Sequence, residues 1–562
     1  MGRDDHQISY PGAQAPARQR TVEAHGLRVA VHEWGDPDAP PLLLAHGGFD
    51  FARTFDVFAP RLATAGWRVV SWDHRGHGDS EHAVLYNWDA DVRDALAVLD
   101  STTRRAVPFV GHSKGGSVIM QLADAMPHRC SHLVNLDGLP SRRNWPDIAE
   151  RDRAKLLTSE VNAWLDHRAR AATKARRPGT LDELAERRQK MNPRLPLDWL
   201  RYLVTVGARH DDDGWRWKLD PGLRFGGFGP WRPEWSMMRM PGLAMPVLGV
   251  LGMEAEAMGW GTRPEDVLAW SPPGARVVPL EGVGHFVHIE EPDLVASLVL
   301  EFLGDPPPAP ASGWDAGTTA GSPGPQRWPA ADTATGIDPE CTVLLQHHHA
   351  SLALHRLADG DGSGSDAGGR PLLLLHGLGE RTPSEVPTVA VAWPGPVYGL
   401  DFTGHGASTI PTGGGYSAEI LLADADAAIR HLGPCTVLGR GLGAYVALLV
   451  AAAHPATVHG AVLVDGPGML ASDNGPGTST PLTIDPGSMA PPDSFALLEL
   501  GRDIRTADYA AILVRMATLG SPMSHPLAVS TINRPAWLAA VADEPGVLLV
   551  GAAEALAQYA PA

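Results

Sequence analysis

Residues 106–120 read AVPFVGHSKGGSVIM. An apolar run ends in Gly111-His112-Ser113-Lys114-Gly115, and a helical pattern follows. Glycines two before and two after Ser113 let the chain turn where a Cβ would clash. Such a turn lifts the serine hydroxyl to a strand end, above a helix N-terminus whose free N–H groups favour developing negative charge. In a chain with 62 glycines the five-residue pattern alone says little. A strand before it and a helix after it make Ser113 the candidate nucleophile.

Outward from this turn, apolar runs alternate with helical stretches. PLLLAHGG (41–48), WRVVSWD (67–73), SHLVNLD (131–137), PVLGVLG (246–252) and ARVVPLEG (275–282) read as buried strands. DADVRDALAVLD (89–100) and GSVIMQLADAM (116–126) read as helices between them. The pattern predicts an α/β fold, a mostly parallel sheet covered by helices on both faces. A serine nucleophile needs a base. Gly282-Val-Gly-His285-Phe follows the last apolar run, and EEPDLVASLVLEFL closes the unit as a helix. A histidine on that loop can reach back over the sheet, so His285 is the candidate base.

With His46-Gly47-Gly48, Asp73-His-Arg-Gly-His-Gly, the serine turn and the late Gly-His in this order, residues 21–304 resemble the α/β-hydrolase superfamily. The resemblance implies an oxyanion hole built from the backbone N–H groups of Gly48 and Lys114. Fixed donors of this kind are worth roughly 3 kcal/mol each in a transition state. It also implies a triad acid after PVLGVLG, where Ala255 stands between Glu254 and Glu256. Asp137, at the end of SHLVNLD, is the other candidate, and the three stay open. The acid's task is to orient His285 and stabilise its charged form. In the superfamily an insertion such as 139–240 forms a helical lid. This one holds seven tryptophans, at 145, 164, 199, 215, 217, 231 and 235. They either wall a pocket for a small apolar or aryl ester or pack the lid onto the core. The stretch from Asn192 to Asp220 more weakly resembles serine hydrolase-like proteins. The implied chemistry is hydrolysis of an ester-type bond through an acyl-enzyme. Acyl transfer, C–C hydrolysis and perhydrolysis use the same triad, and a non-catalytic ligand-binding or regulatory protein is the alternative of a different class. The serine turn disfavours the relatives that use an aspartate nucleophile, epoxide hydrolases and haloalkane dehalogenases.

The second half repeats the first. His376-Gly377, Asp401-Phe-Thr-Gly-His-Gly, Gly439-Arg-Gly441-Leu-Gly443 and Asp465-Gly466 echo the motifs above. Asp73 precedes Gly111 by 38 residues, and Asp401 precedes Gly439 by 38. Equal spacing indicates a tandem duplication. In the repeat the nucleophile position is Gly441, and the one histidine after Asp465, His525, lacks the Gly-His context. Residues 341–562 are therefore expected to be a degenerate, catalytically dead copy. Residues 305–340 are dominated by Pro, Gly, Ala, Ser and Thr and read as a linker, and residues 1–20 as a flexible N-terminus.

Composition narrows the remaining classes. Formal charge is −18, of which −13 falls after residue 305, where there are 10 Arg, no Lys and 23 acidic residues. No basic surface for nucleic acid or anionic membrane is expected. Cys130, Cys341 and Cys435 make neither a disulfide framework nor a Cys-rich zinc site. No apolar stretch is long enough to span a membrane, no secretory signal is read, and a cytoplasmic location is expected. His347-His348-His349 suggests a metal site, but on a strand alternate side chains diverge, so no metal or cofactor is expected. The partner is a small molecule, with self-association through the second half as a further expectation.

Overall fold

The computed structural model describes residues 8–141, 150–171, 175–223, 233–308, 313–314, 339–360, 369–472 and 490–561. Most of the expected linker, together with Trp145 and Trp231, lies outside them.

The first half builds a sheet from β1 (Arg18–Ala24), β2 (Leu27–Trp34), β3 (Pro41–Ala45), β4 (Arg68–Trp72), β5 (Val107–His112) and β6 (Cys130–Leu136). A small hairpin, β7 (Ala208–Asp211) and β8 (Gly214–Trp217), stands apart, and β9 (Val247–Gly252) and β10 (Arg276–Leu280) complete the sheet. Its order is β1-β2-β4-β3-β5-β6-β9-β10. Pairing is antiparallel from β1 to β2 and from β2 to β4, and parallel elsewhere.

The second half uses β11 (Thr342–His347), β12 (Ala350–Ala358), β13 (Leu372–Leu375), β14 (Val397–Leu400), β15 (Cys435–Arg440), β16 (Val458–Val464), β17 (Leu527–Ser530) and β18 (Val547–Leu549). The order β11-β12-β14-β13-β15-β16-β17-β18 reproduces the first sheet strand for strand. The chain is two tandem α/β-hydrolase-like domains.

Both faces of the first sheet are buried, which is why its strands read as continuous apolar runs. Leu42 and Leu44 point to one face, where α1 (Ala59–Thr64) and the closing helix pack. Leu43 and Ala45 point to the other, against α2 (Trp88–Thr102) and α3 (Lys114–Ala125). Between β6 and β9 come α4 (Glu150–Ala171), α5 (Leu181–Met191), α6 (Leu197–Gly207) and α7 (Pro233–Arg239); α8 (Pro264–Val267), α9 (Val287–Glu290) and the closing helix α10 (Pro292–Leu303) follow β9. In the second half, α11 (Ala418–Leu432), α12 (Leu442–Ala453), α13 (Ser494–Leu500), α14 (Ala507–Gly520) and α15 (Ala536–Asp543) cover one face, and α16 (Ala552–Tyr559) the other.

The insertion does not all stay with the first sheet. Helices α5 and α6 pack over Phe51, Val57 and Phe286 in a cluster of their own. Helix α4 crosses to the second half, where Val161 and Leu165 join the apolar cluster of α11, α12 and α14. This accounts for LGAYVALLVAAA, in which all residues of α12 are buried. A helix apolar all round must be covered all round. Polar contacts close the same junction. The Arg93 guanidinium lies 4.6 Å from the Phe495 ring and pairs with Glu499. Asn87 Nδ2 donates to Tyr416 O at 2.9 Å.

Of the expected flexible N-terminus, residues 1–7 lie outside the described residues. Residues 8–20 are tied down: the Tyr10 ring meets Trp199 edge-on at 4.9 Å, Trp34 Nε1 donates to Gln14 O at 2.9 Å, and β1 begins at Arg18. Aromatic anchoring at Tyr10 outweighs the polar composition around it.

Candidate active site

Ser113 sits between β5 and α3 with φ 51° and ψ −120°. Few non-glycine residues adopt a positive φ, and their occurrence marks a constrained turn. A Cβ on Gly111 would lie 2.7 Å from the Gly115 backbone, and one on Gly115 would strike the Ala45 carbonyl. The two glycines thus let the helix start directly against the sheet. Lys114 is the first residue of α3, so its N–H has no acceptor within the helix.

His285 and Asp137 meet beside this turn. His285 Nδ1 lies 2.6 Å from Asp137 Oδ2, and Gly252 N donates to Asp137 Oδ1 at 3.0 Å. Asp137 follows β6 directly and itself takes a positive φ of 49°. Of the three candidate acids, this one reaches the imidazole. Glu256 instead accepts the backbone N–H of His285 at 2.6 Å, and burial raises its pKa. Glu254 is exposed, with its N–H on Val283 O at 2.9 Å. Two groups given no role by the sequence reading hold the same loop. His112 Nε2 bonds His285 O at 2.9 Å, and Gly284 N donates to Glu290 Oε1 at 3.0 Å. No short motif announces either.

The loop after β3 carries Gly48. Phe49 N donates to His77 Nε2 at 3.2 Å. From α5, Arg188 donates to Phe49 O at 2.9 Å and to Asp50 Oδ1 at 2.6 Å. The lid therefore grips the segment that presents the Gly48 amide. Below it, His46 Nε2 accepts from His74 N at 2.9 Å, which places the His46 proton on Nδ1, 2.7 Å from Gly47 O. Burial pushes His46, His77 and His112 well below the ordinary histidine value, and His74 and His288 down to about 3. These rings are neutral framework.

The second copy separates framework from chemistry. His376 repeats the His46 bonds, to Gly377 O at 2.7 Å and from Phe402 N at 3.1 Å. Asp401 accepts from Thr382 N and Ala407 N, each at 2.8 Å, as Asp73 accepts from Ala52 N and Asp79 N, each at 2.7 Å. Gly441 keeps the turn, with φ 59° and ψ −117°, without a side chain. Asp465 accepts from Ile532 N at 2.6 Å, where Asp137 accepts from Gly252 N; no histidine faces it among the described residues. Its aspartate therefore has a structural task in both copies and an imidazole partner in one.

The tryptophans divide by task. Trp199 is fully buried at the centre of the lid cluster, Trp215 and Trp217 lie at its edge, and Trp164 packs against the second half. Trp235 is half-buried. The expectation for the three histidines needs correction. His347 ends β11 and reaches Arg168, but His348, with φ 55°, and His349 form the turn after it. Off the strand they converge: His348 Nε2 lies 3.2 Å from Asp220 Oδ1, and His349 Nε2 lies 2.9 Å from Asp220 Oδ2.

A family model described as alpha/beta hydrolase fold matches residues 40–292, and one described as serine aminopeptidase matches residues 371–476. The first domain belongs to the α/β-hydrolase superfamily, and the second repeats its strand order. A serine hydrolase-like protein of Dictyostelium discoideum is 34% identical over 117 residues, 20% of this chain and 32% of that protein. A serine hydrolase-like protein of Danio rerio is 24% identical over 281 residues, covering 48% of this chain and 83% of its own length. Esterase YbfF of Escherichia coli is 26% identical over 265 residues, covering 47% and 93% respectively. The chain thus spans about a third of the first relative and most of the other two, and each match leaves at least half of this chain unaccounted for. No helix among the described residues is long and apolar enough to cross a membrane.

Proposed function

We propose that the first domain hydrolyses small carboxylic esters through a covalent intermediate on Ser113. The observation that carries this reading is the His285 Nδ1 to Asp137 Oδ2 contact of 2.6 Å beside the strained serine turn. With Nδ1 held by Asp137, Nε2 is left to accept the serine proton. Ser113 Oγ attacks the ester carbonyl and its proton passes to His285 Nε2. The new oxyanion takes hydrogen bonds from the Gly48 and Lys114 amides. Collapse breaks the ester C–O bond, and the alcohol leaves with the proton from His285. Water then attacks the acyl-enzyme, gives its proton to His285, and releases the acid; the proton returns to Ser113. The named activities of the relatives, serine hydrolase-like and esterase, support the same reading.

The second domain is non-catalytic in this reading. It lacks the serine and the facing histidine, and it seats helix α4 of the lid insertion. A p-nitrophenyl ester series of increasing acyl length tests the assignment. Hydrolysis by the wild type and none by Ser113→Ala is the expected result; equal rates in both proteins would overturn it.

A further inference from the structure

We propose that His82, Asp220 and His349 form a binding site for a divalent transition-metal ion, zinc foremost, at the junction of the two domains. His82 comes from the segment after β4, Asp220 from the insertion, and His349 from the turn between β11 and β12. One donor atom from each lies within 4.8 Å of the other two. His349 Nε2 is 2.9 Å and His82 Nδ1 is 3.5 Å from Asp220 Oδ2. A tetrahedral zinc ion, with bonds of about 2.0–2.1 Å, needs donors about 3.3 Å apart. The two distances bracket that value, so small side-chain rotations admit the ion.

The carboxylate is already oriented by its own partners. Tyr86 donates to Asp220 Oδ2 at 2.6 Å, and Gly222 N donates to Oδ1 at 2.6 Å. His348 Nε2 lies 3.2 Å from the other carboxylate oxygen, Oδ1, as an outer partner. Such partners fix ligand direction and are part of a working metal site. The Asp220 side chain is fully buried, while those of His82 and His349 are 35% and 42% exposed. The open side gives an ion a path in and leaves a fourth position for water.

Two imidazoles with one carboxylate suit zinc, cobalt or nickel over magnesium or calcium. Binding moves the His349 proton from Nε2 to Nδ1, because the coordinating nitrogen must offer its lone pair. The positive charges of Arg176 and Arg209 bear on His82 and oppose a dication, which sets a moderate affinity. The ion would tie the hydrolase core, the insertion and the second domain at one point.

The test is calorimetric titration of zinc chloride into the EDTA-treated full chain, with thermal unfolding followed in parallel. One ion per chain and a zinc-dependent rise in Tm are expected. His82→Ala and His349→Ala should each weaken binding about tenfold or more. Both side chains are partly exposed, so metal-free Tm should change little, and His349→Gln repeats the test with a side chain closer in size. The exposed His128→Ala should bind as the wild type does. Absence of binding, or an affinity unchanged by His82→Ala and His349→Ala, overturns the proposal.

Discussion

The carbonyl oxygen of Pro467 accepts the backbone amide of Leu442 at 2.9 Å. It also accepts the Leu378 amide, at 3.0 Å. Leu442 and Leu378 follow Gly441 and His376-Gly377 as Lys114 and Gly48 follow Ser113 and His46-Gly47. In the proposed mechanism the Lys114 and Gly48 amides hold the oxyanion; in the second domain the corresponding two amides are taken by the chain itself. A Cβ on Gly441 would also strike the Pro467 oxygen.

Gly441→Ser is therefore expected to restore no chemistry. In a Ser113→Ala background, the added serine should take up no fluorophosphonate. The steric conflict should lower stability by about 1–3 kcal/mol in urea unfolding. A labelled Ser at 441 would contradict the blocked-pocket reading.

Asp137→Asn should lower kcat for p-nitrophenyl esters by about 10⁴-fold with little change in KM, the signature of a mispositioned imidazole. Glu256→Gln, which weakens a bond to the backbone of the His285 loop, should cost about tenfold or less. Glu254→Gln should leave both constants unchanged. Steady-state kinetics on the three variants decide among the acids that sequence spacing left open.

Stability should fall in mild acid. His74 and His288 are held at about 3 by burial, the nearby Lys114 charge adding for the first. Unfolded histidines take a proton near 6.5, so the unfolded chain gains protons that the folded one refuses. The stability these rings contribute is present above pH 6.5 and is lost as pH falls toward 3. At pH 5 the loss is about 2 kcal/mol per ring. Urea midpoints at pH 7 and pH 5 measure it; equal midpoints would contradict the neutral burial of these rings.

Leu165→Ala should destabilise the chain by about 2–5 kcal/mol although Leu165 belongs to the lid insertion, because it is buried among helices of the second domain. The mutated site should be felt by both domains in differential scanning calorimetry. A change below 1 kcal/mol would mean that α4 does not dock as described.

The parallel sheets were legible because strands buried on both faces leave apolar runs, and the duplication because Asp73, His46 and their counterparts bond the same backbone amides in both copies. Ser113 stood out by its glycines and the strand and helix around it, and His285 by its place after the last strand of the first half, while Gly441 keeps the serine's turn without a side chain. The acid was not legible. Asp137 and Asp465 occupy the same place and share a backbone task, and only the three-dimensional position of His285 tells them apart. Nor was the path of α4, since its apolar residues do not say which domain they face. The convergence of His348 and His349 was hidden too, because it depends on a turn at His348 rather than on strand alternation.

The central claim is that Ser113 is a nucleophile activated by His285. The most direct measurement is fluorophosphonate labelling of the full chain, with the adduct mapped by mass spectrometry in wild type, Ser113→Ala and His285→Ala. A single adduct on Ser113, absent from Ser113→Ala and strongly slowed in His285→Ala, is the expected result. A folded wild type that stays unmodified, or that labels at another serine with Ser113→Ala still hydrolysing esters, would contradict it.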